Sequence, residues 1–183
     1  MQVVYHGSPR GGLKVLKPQL SEHGRPYVYF SENPNVALLY AVKPVPKPFS
    51  FYPFGFDKTG NPVYTEYFRD AFSILYRGRK GYLYECRRIE KLENPTQIRG
   101  VTVCTEAVPV KRVTEIPDVY IFLKEQEALG NFSVKPFSRI GEKEMDFARR
   151  AIRKEMEAYG LKQKPEDAMS IFIRTRFPEI WAD

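Results

Sequence analysis

The chain reads as an α+β fold, a mostly antiparallel β core followed by a helical tail, and three observations predict it. Short β-type runs separated by Gly- and Pro-rich turns fill the first 130 residues, among them YVYFS at 27–31, GYLYECR at 81–87 and VTVC at 101–104. Beyond Gly130 the character changes to strong helix formers with alternating charge. The 183 residues are 43% hydrophobic and 28% charged, which suits one packed core and not a disordered chain. A division follows: a core over residues 1–130 and a helical extension over 131–183. The extension is expected to pack on the same core, because Phe132, Phe137, Phe147 and Phe172 are more apolar area than a free tail would carry.

Residues 2–6 (QVVYH) form a β-type run ending at His6. A Gly- and Pro-rich loop follows, then LKVLKP and a turn cluster at His23-Gly24-Arg25-Pro26. Residues 27–31 are aromatic and β-branched, a second strand. Ser31 or Asn33 can cap the next helix, with Pro34 in its first turn and VALLYA as its body. Residues 43–62 are expected to be irregular, since Pro44, Pro46, Pro48, Pro53 and Pro62 lack a donor and fix φ. Their aromatics, Phe49, Phe51, Tyr52, Phe54 and Phe56, suggest a lid packed on its own core. Residues 63–76 place Tyr64, Tyr67, Phe68, Phe72 and Leu75 at helical spacing. In GYLYECR the alternate positions are Tyr82, Tyr84 and Cys86, so Glu85 is expected to face water. Further β-type runs lie at VTVCTEAVPV, where Glu106 opens the late strand, and at KRV. IPDVYIFLKEQEALG reads as a helix ended by Gly130, and 142–159 and 165–176 as two more.

Lys and Arg number 29 against 22 Asp and Glu, a net charge of +7, and five of those seven charges fall within residues 1–130. That balance suits an anionic ligand. The basic group Arg77, Arg79, Lys80, Arg87 and Arg88 reads first as a solvated face. No apolar run approaches the roughly 18 to 20 residues that span a bilayer, and the N-terminus lacks the order of a signal peptide. A cytoplasmic protein without a membrane partner is expected. Cys86 and Cys104 cannot make a disulfide framework and are expected as buried free thiols in a reducing compartment. With only His6 and His23 to add, and no paired spacing, no metal site is expected.

The sequence carries no P-loop, Gly-x-Gly-x-x-Gly, HExxH or Gly-x-Ser-x-Gly motif. What stands out is Tyr5-His6-Gly7-Ser8 at the end of the first strand, Tyr29-Phe30-Ser31 in the second, and Tyr40 on the following helix, eleven residues after Tyr29. Glu106 stands in TEAVPV. At these residues the chain resembles the ADP-ribosyltransferase family, in its diphtheria-toxin and poly(ADP-ribose) polymerase branch with a His-Tyr-Glu triad. The resemblance covers roughly residues 1–120. It implies a split antiparallel β core and an NAD-dependent mono-ADP-ribosyltransferase or NAD glycohydrolase that needs no metal. By resemblance His6, Tyr29 and Glu106 are the catalytic triad, and His6, Gly7, Ser8, Arg10, Tyr29, Ser31 and Tyr40 bind NAD. Ala37 departs from the branch, standing where it carries a serine. The sequence Val103-Cys104-Thr105-Glu106 lacks the Gln/Glu-x-Glu of the arginine-modifying branch. The acceptor, a protein or a nucleic acid, and the oligomeric state are not set by the sequence. Bacterial or phage proteins of this size and resemblance are often toxins or modifiers of a host target.

The residues themselves are compatible with that chemistry. Tyrosine faces attract the cationic nicotinamide, by about 0.5 to 2 kcal/mol each. Gly7 lets a ligand carboxamide approach the backbone, His6 can bond ribose hydroxyls, and Arg10 can reach the pyrophosphate. A carboxylate facing the oxocarbenium-like state stabilises it more than the ground state, the role foreseen for Glu106, with Glu85 as its rival. Two alternatives stay open: an RNA 2′-phosphotransferase, and an inactive nucleotide- or protein-binding module of the same fold.

Overall fold

Strand β1 (Val3–Ser8) runs past His6, because Gly7 and Ser8 go on pairing, with Leu83 and Tyr82. In the computed structural model the described residues are 3–20, 24–42, 54–87, 89 and 91–182. The two-residue strands β2 (Val15–Leu16) and β3 (Gln19–Leu20) follow, then β4 (Pro26–Phe30) and helix α1 (Pro34–Leu39). Asn33 caps α1, its side-chain oxygen accepting from the N–H groups of Asn35 and Val36 at 2.9 and 3.3 Å. His23 and residues 43–53, with Phe49, Phe51 and Tyr52, lie outside the described residues.

The stretch expected to be irregular up to residue 62 is in part a hairpin, β5 (Phe54–Phe56) with β6 (Pro62–Thr65). Pro62 is tolerated because it takes the first position of its strand. The helix expected over 63–76 is confined to α2 (Ala71–Tyr76). Residues 62–68 instead bury every second residue, Pro62, Tyr64, Glu66 and Phe68. Polar Glu66 at an inward position hides that strand period in the sequence. It is buried because it has work to do there: its carboxylate accepts from the N–H of Phe72 at 2.9 Å and of Phe137 at 3.4 Å. Asp70, at φ 59°, turns the chain into α2.

Strand β7 (Gly81–Arg87) is the centre of an antiparallel sheet ordered β1-β7-β10, where β10 is Arg112–Ile116. The run VTVCTEAVPV splits into β8 (Thr102–Cys104) and β9 (Val108–Pro109). Glu106 therefore does not open a strand; it lies in the exposed turn between them. Helix α3 (Val119–Ala128) is capped by Asp118 and followed by β11 (Ser133–Lys135). Helices α4 (Glu142–Tyr159), α5 (Ala168–Arg176) and α6 (Pro178–Ala182) complete the chain. The α5 helix starts later than its sequence pattern, where the Asp167 side chain accepts from the Met169 N–H at 2.8 Å.

The architecture is mixed α+β, with several small, mostly antiparallel sheets and six α-helices among the described residues. One sheet is ordered β3-β4-β8, another β11-β6-β5 with β11 parallel to β6, and β2 pairs with β9. Tyr5 and Ser31 exchange backbone hydrogen bonds of 2.8 and 2.9 Å, which join β1 to the end of β4. Among the described residues no helix is long and apolar enough to cross a membrane.

Two apolar clusters hold these layers. The larger gathers Leu38, Tyr64, Phe72 and Leu123 with Ile152, Ile173, Phe177 and Ile180, so the segment after Gly130 shares a core with what precedes it. Phe132 is buried there, whereas Phe147 is 47% exposed and lies outside it. The smaller cluster contains Val4, Leu16, Val28, Phe30, Tyr84, Cys86, Cys104 and Val108. Both cysteines are free and buried, and burial, with the nearby Glu85 charge, pushes the Cys86 thiol up to about 12. At neutral pH it carries no nucleophilic thiolate.

Helix α1 and the residues just after it rest on the β1-β7 sheet at two glycines. A Cβ on Gly7 would lie 1.9 Å from the Ala37 carbonyl oxygen, and one on Gly81 would lie 2.8 Å from Ala41. Only hydrogen at these positions lets Ala37 and Ala41 sit that close. The C-cap residue of α1, Tyr40, is thereby carried to the end of β1.

Candidate functional site

A cleft of about 700 Å³ opens where β1 ends, between the loop leading to β3, strand β4 and the end of α1. His6, Gly7, Ser8, Arg10, Tyr29 and Tyr40 all line it. Six of the residues singled out in the sequence thus meet at one place.

His6 is held by β4. Its Nδ1 lies 2.8 Å from the Tyr29 carbonyl oxygen, which can only accept, so Nδ1 carries the hydrogen and Nε2 keeps its lone pair. Burial lowers the His6 pKa below the usual histidine value, and the bond to Tyr29 opposes this less strongly. The ring is therefore neutral at pH 7, with Nε2 an acceptor. A testable pH dependence follows. The unfolded chain binds a proton at His6 near its ordinary pKa of 6.5, where the folded chain does not. The folded state thus loses stability as pH falls through 6.5 towards the lowered value. Thermal melts from pH 7.5 to 5.5 should show a smaller fall for His6→Gln, which can still donate to Tyr29. Identical profiles would exclude His6 as the source.

The pleat decides which acids can join His6. His6 pairs with Tyr84 across β1 and β7, and their rings are 6.2 Å apart on one face of the sheet. Glu85, the next residue, points to the opposite face. It does not face open water as expected from the sequence, being only 8% exposed and paired with Arg87 at 2.7 Å and Arg112 at 3.6 Å. Its hydrophobic neighbours in sequence, Tyr84 and Cys86, fill the other side. Glu106 is not among the residues lining the cleft. It is exposed beside Lys91, Glu93 and Thr105, and its N–H donates to Cys104 Sγ at 3.4 Å.

The tyrosines come from two elements. Tyr29 is half-buried on β4 and meets Tyr27 edge-on at 6.1 Å; Tyr27 also lines the cleft. Tyr40 meets Phe54 of the β5 hairpin edge-on at 6.3 Å. The described end of the aromatic loop therefore packs on the site residue, and Phe56 stacks under Arg99 at 4.8 Å. Ser8 is buried and its Oγ accepts from the Arg10 N–H at 3.2 Å, while the Arg10 side chain is exposed.

Two residues that the resemblance assigns to NAD binding also serve the fold. Ser31 is absent from the cleft lining: its backbone makes the β1–β4 joint, and its Oγ accepts from the Asn33 N–H at 3.1 Å. Gly7 lines the cleft, but helix α1, not a ligand, occupies the space a side chain would take. Lys17 and Tyr27 also line the cleft, and sequence reasoning passed over them. Lys17 precedes Pro18 two residues before β3, and no motif marks it. No family model matches the chain, and neither a curated protein nor a solved structure matches it.

Proposed function

We propose that the cleft binds NAD and that the chain is an NAD-dependent mono-ADP-ribosyltransferase or NAD glycohydrolase on an ADP-ribosyltransferase-like split β core. One observation carries this reading: His6, Arg10, Tyr29 and Tyr40, from four separate segments, line a single cleft. In NAD the nicotinamide is cationic, and the faces of Tyr29 and Tyr40 suit it. Neutral His6 accepts a ribose hydroxyl hydrogen at Nε2, and Arg10 with Lys17 answers the pyrophosphate charge. Cleavage sends the bonding electrons to nicotinamide, which leaves neutral. The positive charge passes to the ribose as an oxocarbenium-like centre. An acceptor hydroxyl or amine, or water, then attacks that carbon and gives up its proton.

A second reading is an inactive member that holds the nucleotide without cleaving it. It is favoured by the lack of any Asp or Glu among the described residues of the cleft. Calorimetry with NAD tests what both readings share. Tyr40→Phe should keep most of the affinity, whereas Tyr40→Ala should lose about 1 to 3 kcal/mol, as aromatic stacking on bases does. Equal affinity in parent and both variants would remove Tyr40 from the site. Nicotinamide release, with and without cell extract, separates the two readings. Release only with extract means a macromolecular acceptor, and binding without release means the inactive module. Product analysis with a 2′-phosphorylated RNA tests the phosphotransferase alternative.

A further inference from the structure

We infer that Tyr84 is a positioning residue that presets the Arg10 loop for the pyrophosphate of the ligand, an inference that rests on the NAD reading. Tyr84 is fully buried in the smaller core cluster, yet its hydroxyl reaches the loop. It donates to the Arg10 carbonyl oxygen at 2.6 Å and accepts from the Leu13 N–H at 3.4 Å. Two residues away on the same face of β7, the Tyr82 ring lies against Gly11. A Cβ on Gly11 would sit 2.6 Å from the far end of that ring, so either the loop or the ring would have to shift to admit one.

The ends of the loop are tied as well. Ser8 Oγ accepts from the Arg10 N–H, and the Lys14 carbonyl accepts from the Val110 N–H at 3.0 Å. Arg10 is long and exposed, and ordering such a side chain costs entropy on binding. A backbone already fixed at Arg10 and Leu13 leaves only that side chain to be ordered when the anion arrives. Tyr84 also touches the His6 ring, so one buried side chain sets the geometry of both the ribose-facing and the phosphate-facing parts of the cleft.

Tyr84→Phe keeps the ring and removes only the hydroxyl. Its affinity for ADP, which carries the pyrophosphate, should fall about five- to tenfold, the size of one or two lost hydrogen bonds. Its affinity for nicotinamide, followed by NMR titration, should not change. Amide exchange at Gly11 and Leu13 should quicken at least about tenfold as the loop loosens. Gly11→Ala, which disturbs the loop from the Tyr82 side, should give the same split and carries the test should Tyr84→Phe fail to fold. Equal losses for ADP and nicotinamide would mean a general packing role and would overturn the inference. So would parent-like ADP affinity together with parent-like exchange. If the parent binds neither probe, the NAD reading falls and the exchange rates alone decide: faster exchange in both variants supports Tyr84 as the loop's anchor, and unchanged exchange overturns it.

Discussion

Deleting residues 131–183 is expected to yield a chain that aggregates and has no cooperative melt. The deletion takes Phe132, Ile152, Met156, Leu161, Ile173, Phe177 and Ile180 out of the larger core cluster. At about 1.5 to 3 kcal/mol for each large apolar side chain, the loss is on the order of 10 to 20 kcal/mol. That equals or exceeds the roughly 5 to 15 kcal/mol by which a whole protein is stable. Polar ties go with it: β6 loses its parallel partner β11, and Glu66 loses the Phe137 N–H. A buried carboxylate deprived of a donor adds to the penalty. Sedimentation and circular dichroism of the truncated chain are the measurements. A soluble fragment with a sharp melt would show that the first 130 residues hold a self-sufficient core.

Gly7→Ala is the largest effect expected from a single methyl group. The added carbon would lie 1.9 Å from the Ala37 carbonyl oxygen, 2.8 Å from the Ala37 carbonyl carbon and 3.0 Å from the Ala41 nitrogen. Overpacking against side chains costs about 1 to 3 kcal/mol, because side chains can give way. Here the obstacle is helix backbone, so the cost should be about 3 kcal/mol or more. For a chain of this size that lowers Tm by about 6 to 12 °C or more. NAD binding should weaken as well, since lifting α1 moves Tyr40. A melt like the parent's would mean that α1 is not seated on Gly7.

How much of this was legible depended on whether a residue's type matched its surroundings. Asn33-Pro34 announces α1, Gly130 announces the stop of the segment that holds α3, and the charged run at 142–159 becomes a helix of those bounds. In these places local chemistry and tertiary position agree. Over 62–68 strand alternation is hard to see because Glu66, an inward residue just past β6, is an acid, and the aromatics fit a helical count better. Glu106 reads as a strand opening because a run of β-type residues does not show where pairing stops. The structure ends β8 at Cys104 and leaves the carboxylate on a turn.

The site was legible in its anchors and not in its support. His6, Tyr29 and Tyr40 stand out by type and spacing. Tyr84 reads from sequence as one core aromatic among many, and nothing in YLYEC shows that its hydroxyl reaches residue 10. Such a tie depends on how a loop 71 to 74 residues away lies on the sheet, which only the folded chain specifies.

The parallel pairing of β6 with β11 also bears on how the molecule is made. Val63 meets Ser133, and these partners are 70 residues apart in the chain. During synthesis, at about 5 to 20 residues per second, the face built from Tyr64, Phe68 and Phe72 leaves the ribosome well before Ile173 and Phe177 exist to cover it. The 53 residues after Gly130 take about 3 to 10 s to appear at that rate. For that interval the nascent chain presents an aromatic surface and an unpaired strand edge, the features that chaperones bind and that seed aggregation. Folding of the larger core thus waits for the helices that follow Gly130, and slower translation of those helices should lower the soluble yield.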